Sequence, residues 1–240
     1  MYELAQQAYT TLGIQLTPAQ LNALELYENE ILKWNSRMNL TAIHKPNQIR
    51  VKHFLDSLTC MLVMGDTTTE SVIDIGTGAG FPGLPLKIIN PSLHLTLVES
   101  VGKKAEFCRH IVRTLGLTDV EVIHNRAEVV GQMPDHRQNY DWAFARAVAI
   151  LPALVEYSLP LLHVGGTMVA MKGEDAHAEV HNAEHATNIL GGHLRKLVPV
   201  TLPGVAEERY LVVIDKVAAT PDAYPRRSGI PTKRPIKVKK

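Results

Sequence analysis

Four glycines lie close together in the stretch VIDIGTGAGFPGLPLKI, which runs from Val72 to Ile88 between an apolar segment and a helical one. Glycine permits positive φ and lets a ligand approach the backbone closely, and the N-terminus of the following helix offers free N–H groups. The stretch therefore predicts a strand, a nucleotide-binding turn and a helix, the first unit of an α/β fold. A glycine turn with a purely structural purpose is the less favoured interpretation.

The same glycines fit two spacings that imply different ligands. GAGFPG, starting at Gly78, has the spacing of a dinucleotide site, whereas DIGTGAG, starting at Asp74, has the spacing of a loop that binds a methyl donor. A carboxylate at position 74 would repel a pyrophosphate but suits the ammonium and sulfonium of S-adenosylmethionine. Glu99 ends the next predicted strand, where an acid can accept from the ribose hydroxyls of either ligand. We favour the methyl donor over NAD, and the predicted contacts are Asp74, Gly76, Gly78, Gly80 and Glu99.

Short apolar runs alternate with helical ones from Ser71 onward, which is typical of a parallel sheet between helices. Seven runs are strand-like, and the last two, LRKLVPVTL and RYLVVIDKV, lie close together in the sequence. Before the first strand-like run, the segment TPAQLNALELYENEILKWN predicts a helix with Thr17 as its N-cap and Pro18 in its first turn. We predict an α/β fold of the class I methyltransferase (Rossmann-like) type, with a seven-stranded, mostly parallel sheet. Residues 1–65 would form an N-terminal helical extension, residues 66–220 the methyltransferase domain and residues 221–240 a basic tail.

The charge of the chain is unevenly distributed. The formal net charge of all 240 residues is +1, yet residues 221–240 contain seven Lys or Arg and one Asp. A basic tail on an acidic body indicates a polyanionic partner, because Lys and Arg release counterions when they bind phosphates. A solvated tail without a partner is the alternative interpretation.

Several classes of protein are disfavoured by the sequence. Cys60 and Cys108 form no CxxC pair, so neither a disulfide framework nor a zinc site is indicated. MYELAQQAYT is not a secretory signal, and the most apolar region, residues 143–166, contains charged residues and prolines that a membrane span would exclude. The histidines at 177, 181 and 185 share a predicted helix face but lack the glutamate placement of HExxH, so no metal is expected. We expect a cytoplasmic, monomeric protein with no membrane contact.

Seven sequence blocks occur in order along nearly the whole chain: NLTAI, VKHFLDSL, DIGTGAGFPGLPLKI, RAE, ARAV, MKG and YPRRSGIPTKRPI. In these blocks the chain resembles the RsmG (GidB) family of bacterial 16S ribosomal RNA guanine-N7 methyltransferases. The resemblance implies a class I fold with an N-terminal helical extension, S-adenosyl-L-methionine as cofactor, and 16S ribosomal RNA or the small ribosomal subunit as partner. It also implies donor contacts at Gly76, Phe81, Ala127, Glu128 and Arg146.

The available side chains favour methylation of a ring nitrogen. Methylation of a pyrimidine carbon needs a cysteine nucleophile, typically after proline, but Cys60 follows Thr59 and Cys108 follows Phe107. Methylation of an exocyclic amine usually relies on an Asn/Asp-Pro-Pro-aromatic sequence, and the corresponding site here is ARAV. Guanine N7 already has an in-plane lone pair and no proton to lose. For that atom, placement against the methyl group carries most of the catalysis.

Polar side chains before the glycine loop and in the tail are the candidates for placing the RNA. His53, Asp56 and Ser57 are spaced to share one helix face, although a cluster that only braces two parts of the chain would look the same. N7 lies on the edge that A-form RNA hides in a narrow groove, so the target guanine must be in a loop or splayed out. The candidate catalytic residues are Arg146, Lys172, His53 and Asp56, and the candidate RNA contacts are Lys52, His53, Ser57, Arg226, Arg227, Lys233 and Arg234.

Two other functions remain open at this point. A methyltransferase of the same fold could act on a small molecule or a protein, although the basic segment YPRRSGIPTKRPIKVKK argues against it. An RNA-binding module that senses a nucleotide without turnover is the second alternative.

Overall fold

One seven-stranded sheet organises the computed structural model, which describes residues 1–65 and 70–237. In chain order the strands are β1 (Ser71–Ile75), β2 (His94–Glu99), β3 (Val120–His124), β4 (Tyr140–Arg146), β5 (Leu162–Lys172), β6 (Gly192–Val200) and β7 (Arg209–Lys216). Their spatial order is β3-β2-β1-β4-β5-β7-β6. Strand β7 runs antiparallel to both of its neighbours, whereas the other pairings are parallel. The predicted seven-stranded, mostly parallel sheet is confirmed.

Short helices before the sheet form the predicted N-terminal extension. They are α1 (Tyr2–Leu12), α2 (Pro18–Asn35), α3 (Pro46–Ile49), a π-helical turn over Arg50–Leu55, α4 (Asp56–Leu58) and α5 (Met61–Met64). Helix α2 begins as predicted, since the Thr17 side chain accepts a hydrogen bond from the Gln20 N–H at 3.2 Å. The π-helical turn overlaps VKHFLDSL from Val51 to Leu55, and π-helical turns are frequent at functional sites.

The remaining helices connect the strands and cover both faces of the sheet. They are α6 (Gly83–Ile89), α7 (Gly102–Thr114), α8 (Ala127–Val130), α9 (Leu151–Ser158) with a 3-10 turn over Leu159–Leu161, α10 (Ala176–Ile189) and α11 (Ile230–Lys233). Strand β1 is buried from Val72 to Ile75, as expected for a central parallel strand covered on both faces. Among the described residues, no helix combines the length and apolar character needed to cross a membrane.

The N-terminal helices share a hydrophobic core with one face of the sheet. Tyr27 of α2 and Phe54 of the π-helical turn belong to the same buried cluster as Phe107 of α7 and Phe144 of β4. Helices α9 and α10 cover the opposite face, where Ile236 of the C-terminal segment also packs. The extension is therefore built onto the sheet at the edge where the parallel strands end, which is the edge at which α/β folds bind ligands.

Two parts of the predicted domain division lie outside the described residues. They are residues 66–69, where the predicted methyltransferase domain begins, and residues 238–240, at the end of the predicted basic tail. The boundaries 1–65, 66–220 and 221–240 stay a prediction.

Candidate functional site

The glycine loop follows β1 and turns through three residues of positive φ, namely Gly76, Gly78 and Gly80. A Cβ atom on Gly76 would lie 2.7 Å from Cγ2 of Val148, so only glycine fits beneath that side chain. A Cβ atom on Gly78 would have the Gly76 carbonyl as its nearest neighbour at 4.0 Å. The backbone at Gly78 therefore faces open space, which suits close approach of a ligand.

Two buried carboxylates brace this loop from behind. Asp74 Oδ2 accepts hydrogen bonds from Thr77 Oγ1 at 2.6 Å and from the Gly83 N–H at 2.8 Å. Glu99 accepts from the N–H groups of Gly78 and Val101 at 2.8 and 2.7 Å. Burial raises the pKa of Asp74 to about 6, even though both of its hydrogen bonds favour the charged form. Both carboxylates therefore stabilise the conformation of the glycine loop.

The prediction that Asp74 meets the charged groups of the donor directly needs correction. Its side chain is fully buried beneath the loop, and its second oxygen, Oδ1, has no hydrogen-bond partner among the described residues. Glu99 is also buried. A carboxylate placed this way acts on a ligand through the loop and through its charge, since no surface of it is exposed for contact.

A first cleft opens beside the loop, at the carboxyl ends of β1, β2, β3 and β4. Its apolar walls are Ile75, Val98 and Val148, which suit the faces of a purine ring. The other lining residues are Gly76, Ser100, Asn125, Arg126, Ala127, Glu128, Tyr157 and Thr232. The structure thus brings together three predicted donor contacts, Gly76, Ala127 and Glu128. No sequence motif indicates Tyr157 and Thr232, because each comes from a distant part of the chain.

A second cleft lies on the other side of the end of β4, between β5, β7 and the N-terminal extension. Its lining residues are Asp56, Thr59, Arg146, Ala147, Met171, Lys172, Gly173, Val200, Arg209, Tyr210 and Leu211. Consecutive residues line the two clefts, since Arg146 and Ala147 line the second cleft and Val148 lines the first. Ala147 has a φ of 56°, which is uncommon for a residue with a side chain and typical of functional turns. Three predicted catalytic candidates, Asp56, Arg146 and Lys172, line this cleft.

Arg146 joins the end of β4 to the N-terminal extension. Its Nη1 donates to Asp56 Oδ2 at 2.9 Å and to the Lys52 carbonyl at 3.1 Å, and its Nη2 lies 3.2 Å from His53 Nδ1. Arg209 also contacts Asp56, through Nη1 and Oδ1 at 3.4 Å. Asp56 is buried, and its carboxylate lies between the guanidinium groups of Arg146 and Arg209.

Phe81 lies at the centre of an aromatic stack that connects the loop to the extension. Its ring stacks on His53 at a centroid distance of 4.5 Å and on Tyr27 at 5.6 Å, and the Arg146 guanidinium lies 4.9 Å from its centroid. The Tyr27 hydroxyl donates to the Ala79 carbonyl inside the loop. Phe81 is buried, so it positions the loop and Arg146 and has little surface left for a donor contact.

His53 is held neutral by its surroundings. Burial lowers its pKa to about 3, and the neighbouring positive charge of Arg146 acts in the same direction. Its Nε2 lies 2.9 Å from Thr41 Oγ1, within the NLTAI block. A neutral, buried imidazole cannot serve as a cation for RNA phosphates, so the structure assigns His53 to positioning Arg146 instead.

Replacing His53 by glutamine is expected to remove part of the acid sensitivity of the fold. As pH falls, the unfolded chain takes up a proton near the ordinary pKa of 6.5, but the folded chain does so only near 3. The free energy of unfolding that neutral His53 contributes above pH 6.5 is therefore lost as the pH falls. The loss is about 2 kcal/mol between about pH 7 and about pH 5. Urea unfolding at both pH values should show this extra loss in the wild type and not in H53Q. Equal losses in both proteins would contradict the assignment.

Three other predicted residues are engaged with the protein itself. Ser57 is fully buried and donates to the His53 carbonyl at 2.6 Å, so it is not placed to contact RNA. Lys172 donates to the Ala149 carbonyl at 2.6 Å and to Glu179 at 2.7 Å. Its ammonium is therefore engaged within the protein and is not free to act as a catalytic group. Lys52 pairs with Glu207 at 3.1 Å on the surface, where such a pair is weak enough to exchange for a phosphate.

The predicted basic tail divides into an inward and an outward set of side chains. Arg226 forms two hydrogen bonds from its guanidinium to the buried Glu156, at 2.8 and 2.6 Å, so its prediction as an RNA contact needs correction. Arg227, Lys233 and Arg234 are exposed. These three keep the charge that a polyanionic partner would meet.

Both cysteines are unsuitable as nucleophiles. Cys60 and Cys108 are buried, and burial raises the pKa of each thiol above its ordinary value. Carbon methylation through a thiolate at either residue is therefore disfavoured by the structure as well as by the sequence.

The sheet of this protein is similar to those of solved methyltransferases. Geranyl diphosphate C-methyltransferase from Streptomyces coelicolor A3(2), in complex with S-adenosyl-L-homocysteine, matches with a TM-score of 0.55 at 16% identity, over 84% of this chain and 99% of that one. TrmN from Thermus thermophilus matches with a TM-score of 0.53 at 18% identity, over 68% of this chain and 48% of that one. At these identities the likeness shows the fold, and the predicted class I methyltransferase fold is confirmed.

The sequence comparisons identify the family. A family model described as rRNA small subunit methyltransferase G (GidB) matches residues 20–207. Ribosomal RNA small subunit methyltransferase G of Roseiflexus castenholzii is 55% identical over 227 residues, which are 95% of this chain and 96% of the relative. The protein of the same name from Desulforamulus reducens is 44% identical over 231 residues, 96% of both chains. The chain belongs to the rRNA small subunit methyltransferase G family.

Proposed function

We propose that this protein transfers a methyl group from S-adenosyl-L-methionine to N7 of a guanine in 16S ribosomal RNA. The observation that carries the proposal is that two clefts are lined by consecutive residues, Arg146 and Ala147 in one cleft and Val148 in the other. One cleft has the apolar walls and polar rim of a nucleoside site, and the other is lined by the charged side chains of Asp56, Arg146 and Arg209, which suit the polar edge of a base. Two ligands placed in adjoining clefts meet at a common point, which is what a direct transfer requires.

The first cleft fits the methyl donor. The open backbone at Gly78, the small space at Gly76 and the flanking side chains of Val98 and Val148 would hold a nucleoside with its edge toward Glu128. When bound, S-adenosyl-L-methionine supplies a methyl group on a positively charged sulfur. The buried carboxylates of Asp74 and Glu99 favour a cation near the loop by charge alone, because their hydrogen bonds are made within the protein.

The second cleft fits the target guanine. Arg209 lines this cleft with 26% of its side chain exposed, so the exposed part of its guanidinium offers N–H donors to a base. Guanine carries an acceptor, O6, beside N7, whereas adenine carries an amino group at that position. A hydrogen-bond donor in the second cleft therefore selects guanine over adenine. Arg146 and Asp56 hold the walls, and no residue has to remove a proton from N7.

The outer surface would hold the RNA. Arg227, Lys233 and Arg234 are exposed near the first cleft, and Lys52 lies beside the second. A guanine splayed out of a ribosomal loop would reach the second cleft while its phosphates meet these cations. We propose that the protein acts as a monomer in the cytoplasm, on either the naked RNA or the small ribosomal subunit.

A transfer assay tests the proposal. Small ribosomal subunits from cells without the enzyme are incubated with the protein and labelled S-adenosyl-L-methionine, and the RNA is digested to nucleosides. The expected product is labelled 7-methylguanosine, and subunits from cells that have the enzyme serve as the control that accepts little label. Label in protein or in small molecules would favour the same-fold alternative. Donor binding without any transfer would favour the RNA-binding module, and binding of NAD in place of the donor would contradict the assignment of the first cleft.

A further inference from the structure

The C-terminal segment of residues 220–237, called the strap below, lies against the body of the protein. Near its start, Arg137 Nη1 donates to the Tyr224 carbonyl at 2.7 Å, and Gln132 Nε2 donates to the Pro225 carbonyl at 2.9 Å. Pro225 is buried. Farther along, Ile236 belongs to the core on the α9 side of the sheet. The strap is thus anchored at both ends.

A buried ion pair fixes the middle of the strap. Glu156 of α9 is fully buried, and its two oxygens accept from Nε and Nη2 of Arg226 at 2.8 and 2.6 Å. The backbone N–H of Arg226 donates to the same carboxylate at 2.8 Å. The hydrogen bonds to Glu156 raise the pKa of Arg226 above its ordinary value. Two-point pairing of this kind sets the orientation of both partners.

The inner side of the strap borders the first cleft. The Gly229 N–H donates to Glu128 Oε1 at 2.7 Å, and Glu128 itself lines that cleft. Thr232 of the strap and Tyr157 of α9 also line it. Tyr157 is the next residue after Glu156 on α9. The ion pair and the cleft wall are therefore connected through neighbouring residues on both elements.

We propose that the strap is the outer wall of the methyl donor site and that Arg226 and Glu156 are its positioning residues. The inference rests on the proposed function, because it takes the first cleft as the donor site. Binding sites bury most of the surface of a nucleoside-sized ligand, and Thr232 is the residue by which the strap contributes to the lining of this cleft. A displaced strap would leave Glu128 and Tyr157 open to water. The ion pair thus sets donor affinity without touching the donor.

The variant E156Q in the full chain tests the inference. Glutamine keeps the shape and one acceptor but removes the charge that orients Arg226. We expect the Kd for S-adenosylhomocysteine, measured by calorimetry, and the KM for the methyl donor to rise about tenfold. The kcat at saturating donor should stay within about twofold, because the transfer geometry at Arg146 is untouched. Amide exchange at Arg226 and Gly229 should become faster by about tenfold or more.

The control is E28Q in the N-terminal extension. Glu28 is also buried, and it pairs with Arg50 by the same two-point geometry, at 2.6 and 2.7 Å. E28Q should leave the Kd for S-adenosylhomocysteine and the strap amides unchanged. An unchanged Kd or unchanged strap exchange in E156Q overturns the inference, and so does an equal loss of affinity in both variants. A wild type that fails to bind S-adenosylhomocysteine would instead overturn the proposed function.

Discussion

Replacing Arg146 by methionine is expected to lower kcat at least about 100-fold when donor and RNA are both saturating, because small displacements of reacting groups cost about that much. Methionine has a similar length but no charge, so it removes the hydrogen bonds to Asp56 and to the Lys52 carbonyl. The buried Asp56 carboxylate would keep only its longer contact with Arg209 at 3.4 Å. A buried carboxylate that loses the nearer of its two guanidinium partners should lower the free energy of unfolding by about 3 kcal/mol.

A double variant separates the structural and the functional part of this effect. In R146M/D56N the pair of residues 146 and 56 is neutral, and Arg209, whose side chain is 26% exposed, is left to be hydrated by water, so most of the lost stability should be recovered in urea unfolding. Methyl transfer to small ribosomal subunits should stay low, because the guanidinium that lines the second cleft is still missing. Recovery of activity together with stability would show that Arg146 is only a structural residue.

The sheet could be predicted from the sequence because its signals are local. Each parallel strand is a short apolar run that ends in a turn or a helix start, and burial on both faces of β1 leaves no polar alternation to confuse the pattern. The shared position of His53 and Asp56 was also predictable from their spacing. Both residues do reach Arg146, over a π-helical turn that the sequence did not indicate.

The partners of the charged residues could not be predicted, because tertiary packing decides them. Arg226 and Arg227 are adjacent in the sequence, yet one is held by the buried Glu156 and the other is exposed. Asp74 has the spacing of a donor contact, but it lies under the loop and accepts from Gly83. Arg209 carried no local signal at all. In each case the residue that holds the charged side chain in place lies on another element, and neither the composition nor the spacing of the sequence indicates it.

Replacing Gly80 by alanine is expected to lower the free energy of unfolding by about 3 kcal/mol, the sum of overpacking and of a left-handed backbone without glycine. Gly80 has a φ of 97°, and a Cβ atom there would lie 2.5 Å from the Tyr27 hydroxyl oxygen and 2.9 Å from Leu84 Cγ. Tyr27 would lose its hydrogen bond to the Ala79 carbonyl and shift Phe81, on which it stacks. Urea unfolding measures the loss, and calorimetry should show weaker binding of S-adenosylhomocysteine.

G78A is the matched control for this prediction. Gly78 also has a positive φ, 62°, but a Cβ atom there would meet nothing closer than 4.0 Å. Its stability cost should therefore be the backbone part alone, about 1 kcal/mol. The added methyl group would nevertheless enter the space offered to the donor, so G78A should bind S-adenosylhomocysteine less tightly while remaining well folded. Equal stability losses in G80A and G78A would contradict the packing between the loop and α2, and unchanged affinity in G78A would contradict the donor contact at this residue.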